Sequence, residues 1–174
     1  MRAGASWRGS ARPGTGAPQL NEQGTHVLYT RKDRHPSGSQ LWLVGIDGAG
    51  DREILNVGDD AKVSGRWLAD GATALVVAET RTHKRVGLWS LATGSTRWLI
   101  DDPQRDVEYA YPLRGHGGFV VVETQRAETK ALLHEADGTP MPHFGGPPGV
   151  FMPLAPTLDG RWVGTFFNAH HPRD

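Results

Sequence analysis

The chain has 174 residues, with Lys+Arg and Asp+Glu equal at 19 each and no cysteine. Balanced charge removes the electrostatic pull toward nucleic acid or anionic lipid, and the missing thiols exclude disulfides, Cys-ligated zinc and a Cys nucleophile. No apolar run approaches the length of a membrane-spanning helix.

The first 20 residues, MRAGASWRGSARPGTGAPQL, contain no apolar segment. They lack the hydrophobic stretch of a secretory signal and are expected to be a disordered N-terminal tail. The cytoplasm is then the expected compartment, or the periplasm or exterior if the true start lies upstream. From residue 21 the glycines and prolines punctuate short apolar runs, the pattern of many strands joined by tight turns. Four turn-then-strand units follow one another: NEQGTHVLYT from Asn21, LADGATALVVAE from Leu68, LRGHGGFVVVET from Leu113 and LDGRWVGTFFN from Leu158. Their glycines, Gly24, Gly71, Gly117 and Gly160, are 47, 46 and 43 residues apart. A second series runs in phase, QLWLVGIDGAGDREIL from Gln40, GLWSLATGSTRWLI from Gly87 and ALLHEADGTPMPHF from Ala131. Each reads as strand, tight turn, strand, because Asp-Gly and Thr-Gly pairs tolerate positive φ.

A unit of about 45 residues matches a propeller blade, and a sandwich requires no such period. The fold class expected is therefore all-β: a partial β-propeller of about three and a half four-stranded blades, covering residues 21–174. The blades fall at about 21–57 (first strand missing or irregular), 59–103, 105–145 and 149–174, the last cut after two strands. Helical periodicity is absent, so almost no helix is expected. An arc of this size cannot close a ring and leaves unpaired strand edges, and the isolated chain is expected to be marginally stable or to associate.

RWLADGATALVVAE and PTLDGRWVGTFF resemble the Asp-Gly blades of TolB-like propellers, and SQLWLVGIDGAGDREIL resembles the second half of such blades. PPGVFMPLAPTLDGRWVGTFFNAHHPRD, with DPQRDVEYAYPLRGHGGFVVVET before it, resembles the propeller of prolyl oligopeptidase-family serine peptidases of the dipeptidyl aminopeptidase and acylaminoacyl peptidase kind. The Ser-Pro-Asp-Gly turn of those blades stands here as Leu-Ala-Asp-Gly, Leu-Arg-Gly-His-Gly and Thr-Leu-Asp-Gly. The resemblance implies a non-catalytic module that gates entry of peptide substrates to a C-terminal α/β-hydrolase domain. A TolB-like scaffold that binds a protein partner is the alternative.

The residues themselves point the same way. No G-x-S-x-G string is present, and Ser64 and Ser95 read as strand and turn residues rather than nucleophiles. His170 and His171 are adjacent and would point to opposite faces of a strand, so they read as a loop rather than a metal site; His35 and His83 read as hairpin-loop residues. The acidic pairs Asp59-Asp60 and Asp101-Asp102 read as solvated inter-blade loops. Trp42, Trp67, Trp89, Trp98 and Trp162 fall on strands, and Trp42 and Trp89, each in a Leu-Trp pair, read as equivalent inter-blade packing residues. Arg31, Arg34, Arg81, Arg85 and Arg126 fall where the second and third strands of each blade meet, at one end of the propeller. They are either a basic rim for a partner domain or ordinary loop charge. No catalytic, cofactor-binding or metal-binding residue is expected, and no nucleic-acid or membrane partner.

Overall fold

The computed structural model describes residues 17–113, 117–125 and 128–141, and the backbone of 150–156 and 162–167. The elements among them are all strands. The first sheet contains β1 (Gln19–Leu20), β2 (His26–Arg31), β3 (Gln40–Gly45) and β4 (Arg52–Leu55). The second contains β5 (Lys62–Trp67), β6 (Thr73–Glu79), β7 (Lys84–Ser90) and β8 (Thr96–Ile100). Both are antiparallel meanders in chain order. The third contains β9 (Asp106–Pro112), β10 (Phe119–Gln125), β11 (Glu128–His134), β12 (Val150–Pro156) and β13 (Trp162–Phe167).

Two features differ from the sequence reading. The first sheet has its innermost strand, β1, pairing Gln19 with Leu28 and Leu20 with Val27. It is only two residues long, and Pro18 before it has no N–H with which to extend the ladder. The last two strands do not form a separate sheet. β12 joins β11 by a parallel bridge at Thr129–Val150, while the other end of that edge pairs with Pro140 and Met141. An open strand edge offers unpaired donors and acceptors, and β12 takes those near Thr129.

The repeat is written in the backbone hydrogen bonds. Asn21 N–H donates to His26 O, Leu68 N–H to Thr73 O and Leu113 N–H to Gly118 O. These turns place Gly24, Gly71 and Gly117 at φ of 67°, 60° and 62°, a region that glycine enters without steric cost. After the third strand, Gly45 N–H donates to Ala49 O, Ser90 to Ser95 and Glu135 to Thr139. These bonds fix the true equivalences and correct one reading. Trp42 pairs with Tyr29 and Trp89 with Ala74. Trp42 therefore corresponds to Gly87, and Trp89 corresponds to Val44. The shared Leu-Trp pairs are offset by two residues.

Because alternate residues of a strand face opposite ways, each middle strand serves two cores. Ala74, Val76 and Ala78 of β6, with Val63, Trp67 and Trp89, pack on Leu28, Leu41 and Leu43 of the first sheet. Leu75 of β6, with Val86, Leu88 and Ile100, packs on Val107, Phe119 and Val121 of the third. Val120 and Val122 form a further cluster with Leu113 and Ala131. The sheets stack face to face like successive blades.

Candidate functional site

Successive connections of an antiparallel meander alternate between two ends. One end carries the turns at 21–25, 46–51, 68–72 and 91–95. Here the first sheet grips the second through polar groups. Asn21, only 4% exposed, donates from Nδ2 to Gly71 O at 2.9 Å, and its Oδ1 accepts from the N–H groups of Thr25 and His26. Gln23 Nε2 donates to Asp70 O at 2.7 Å. The sequence reading passed over Asn21; the signal was a polar residue where the other units have Leu68 and Leu113.

The other end carries the β2–β3 and β6–β7 loops and the connections between sheets. The arginines expected at this rim are compensated. Arg31 folds back over Trp42 to bond Asp51 of the 46–51 turn at 2.8 Å, while Arg34 bonds Glu53 at 2.8 Å and lies 3.5 Å from Asp59, and Arg85 bonds Asp101 at 2.7 Å. Arg81 bonds Asp60, and this contact holds the Asp60 carboxyl below the usual carboxylate range. Arg126 lies outside the described residues, as do His170 and His171. The acidic pairs thus split their roles: Asp59, Asp60 and Asp101 face arginines, while Asp102 caps a turn by accepting from Gln104 N–H at 2.9 Å.

His83 has both ring nitrogens engaged, Nε2 with Asp101 at 2.8 Å and Nδ1 with Thr82 Oγ1 at 2.8 Å. The His83 hydrogen bond, and then the Arg85 charge, lower the Asp101 pKa. The chain Thr82–His83–Asp101 fastens one loop to the next connection. His35 hydrogen-bonds Ser37 within its own loop. Ser64 is exposed on β5, and Ser95 is an exposed turn residue whose carbonyl accepts from Ser90. Among the described residues, no group of three or more His, Asp or Glu side chains is placed to hold a metal.

Two Arg–Trp stacks lie on equivalent sheet faces. Arg31 sits 3.9 Å from the Trp42 ring centroid, and Arg85 sits 4.1 Å from that of Trp98. The second stack is shifted one strand outward. Gly87, at the Trp42 position, makes room for it: a Cβ there would lie 2.9 Å from Trp98 Cε3. Around the first stack, Tyr29 hydrogen-bonds Asp51, and burial with this carboxylate pushes the phenol pKa upward. Trp162 lies in β13.

No protein-family model matches the sequence, and no curated protein matches it. Solved structures do. A prolyl endopeptidase superposes with TM-score 0.66 at 15% identity, over 87% of this chain and 22% of its own. The β-propeller domain of the trilobed protease from Pyrococcus furiosus gives 0.66 at 13% identity, over 92% of this chain and 51% of its own. TolB from Acinetobacter baumannii gives 0.56 at 11% identity, over 91% and 42%. The chain thus spans about a quarter to a half of the length of these proteins. Likeness at such identities establishes fold: the chain is a partial β-propeller of the kind found in prolyl endopeptidases and TolB.

Proposed function

We propose that this chain is the non-catalytic, substrate-gating propeller portion of a prolyl oligopeptidase-type serine peptidase. In the whole protein a C-terminal α/β-hydrolase domain would supply Ser, Asp and His and cleave peptides through an acyl-enzyme. The observation that carries this reading is the match of 87% of the chain to 22% of a prolyl endopeptidase. The loop end gives the gate its character. With Arg31, Arg34, Arg81 and Arg85 each facing a carboxylate, the rim would select by size and shape rather than by charge.

The test is to read the coding frame past Asp174 and treat the whole product with a fluorophosphonate. A G-x-S-x-G turn followed by Asp and His, with one labelled serine, supports the reading. A frame that closes without that turn ends it. A protein-binding scaffold is the second reading, favoured by the TolB match, which spans 42% of that protein. It would be left standing by that second outcome.

A further inference from the structure

Three histidines among the described residues have a hydroxyl at Nδ1. Thr25 Oγ1 lies 2.9 Å from His26, Ser37 Oγ lies 2.9 Å from His35, and Thr82 Oγ1 lies 2.8 Å from His83. All three hydroxyl residues are exposed. Of the three pairs only the last continues to a carboxylate, since His83 Nε2 lies 2.8 Å from Asp101 Oδ1. The His83 bond, with the Arg85 charge, keeps that carboxylate ionised. An ionised carboxylate can only accept, so His83 Nε2 carries the proton and Nδ1 turns a lone pair to the Thr82 hydroxyl. The other two pairs have competing partners. Thr25 Oγ1 also meets both amide atoms of Asn21, and Ser37 N–H donates to His35 Nδ1.

The far end of the relay is fixed. Arg85 Nη2 holds the second Asp101 oxygen at 2.7 Å, and the Arg85 guanidinium lies 4.1 Å from the Trp98 ring centroid. The His83 side chain is only 16% exposed, whereas Thr82 stands in the open β6–β7 loop. A hydroxyl within reach of a base that a third group orients is the arrangement that activates a nucleophile. We propose that Thr82 is a covalent modification site, acylated by activated esters with His83 as general base and Asp101 as positioning residue. Thr82 Oγ1 bonds to the acyl carbon and its proton passes to His83 Nδ1. The bond to the leaving aryloxide breaks, and the imidazolium gives that aryloxide the proton, so the products are a threonyl ester and a phenol. The surroundings set the substrate class. The N–H groups of Thr82 and His83 both donate to Thr80 Oγ1, at 3.3 and 3.2 Å, so neither is free for an oxyanion. Without such donors an amide stays intact, and only an ester with a stable leaving group reacts. The site is thus one of modification and not of peptide cleavage, and it stands whether or not a hydrolase domain follows.

The test treats the 174-residue chain with p-nitrophenyl acetate, quenches in acid and maps the acetyl groups by mass spectrometry. Hydroxylamine then separates hydroxyl esters from lysine amides. Thr82 is expected to acylate about 10-fold or more faster than Thr25 and Ser37, which are controls within the same molecule. Thr82→Ser should keep the reaction. Asp101→Asn can donate to Nε2 and turn the proton onto Nδ1, so it should bring Thr82 down to the rate of Thr25. The Thr82 reaction should also run slower in deuterium oxide than in water, and Asp101→Asn should remove that difference, which a merely structural Asp101 would not affect. Equal acylation of the three hydroxyls in native buffer overturns the proposal. So does a Thr82 preference that Asp101→Asn leaves unchanged, which would reduce it to the exposure of the loop.

Discussion

The interface between the first and second sheets and that between the second and third follow one register but use different chemistry. The first sets Trp67 and Trp89 of the second sheet, edge to face with ring centroids 6.3 Å apart, against the leucines of the first. It adds directional bonds: Asn21 and Gln23 to the Asp70-Gly71 turn, Trp67 Nε1 to Gln19 O at 3.1 Å, and Ser39 Oγ to Val63 O at 3.0 Å. The second is mostly aliphatic, with Phe119 stacked on the buried His134 ring at 4.9 Å. Its polar links lie at the margin, Lys84 to Glu108 O and Arg97 to Asp137 O. A repeat can thus preserve how sheets meet while letting each junction specify its partner separately. The first junction fixes orientation through buried hydrogen bonds; the second relies on shape.

The largest effect should come from Trp89, which is fully buried at the first junction. Trp89→Ala is expected to cost about 3–5 kcal/mol by chemical denaturation. Its counterpart at the second junction, His134, should show a far smaller loss on truncation if the two junctions differ as described. Close approach is the next test. Gly65 lets Leu41 in, and a Cβ there would lie 2.6 Å from Leu41 Cδ2. Gly65→Val should therefore destabilise by about 1–3 kcal/mol through overpacking. Asn21→Ala comes next. It removes the partner of the Gly71 carbonyl and of two N–H groups, at a cost of about 1–3 kcal/mol.

A pH titration separates the junctions differently. Burial lowers the His134 pKa, outweighing the Leu132 carbonyl bond. Above the ordinary value of 6.5 both folded and unfolded states hold a neutral ring, and His134 contributes no slope. Below it the unfolded chain takes up the proton first, so stability should fall with falling pH. His134→Leu should flatten that part of the profile. The smallest effect is expected from Arg81→Ser. Its side chain is 85% exposed, and its pair with Asp60 should contribute nothing measurable to the unfolding midpoint.

Much of the fold is legible in the sequence because it is carried by local chemistry. The turn glycines Gly24, Gly71 and Gly117 are needed for positive φ, and their spacing marks the repeat. The apolar runs Leu75-Val76-Val77 and Phe119–Val122 announce strands enclosed on both faces. What the sequence hides is register across strands. Two Leu-Trp pairs look alike, yet the backbone bonds set Trp42 against Gly87 and Trp89 against Val44, an offset no local signal records. Charge placement is hidden for the same reason. Arg31 and Asp51 are distant in sequence and meet only because the sheet sets β3 between β2 and β4, so that Arg31 reaches over Trp42 to the start of β4. In the sequence the arginines read either as a basic rim or as ordinary loop charge, and only the fold places the carboxylates that face Arg31, Arg34, Arg81 and Arg85.

The central claim is that the first two sheets meet as blades in this register, with Leu41 seated over Gly65. A double-mutant cycle tests it most directly. Leu41→Ala vacates the space that a side chain at position 65 would need. The double variant Leu41→Ala/Gly65→Val should therefore be more stable than the sum of the single losses predicts, by about 1 kcal/mol or more. Strict additivity would place the two residues out of contact and contradict the blade-on-blade packing.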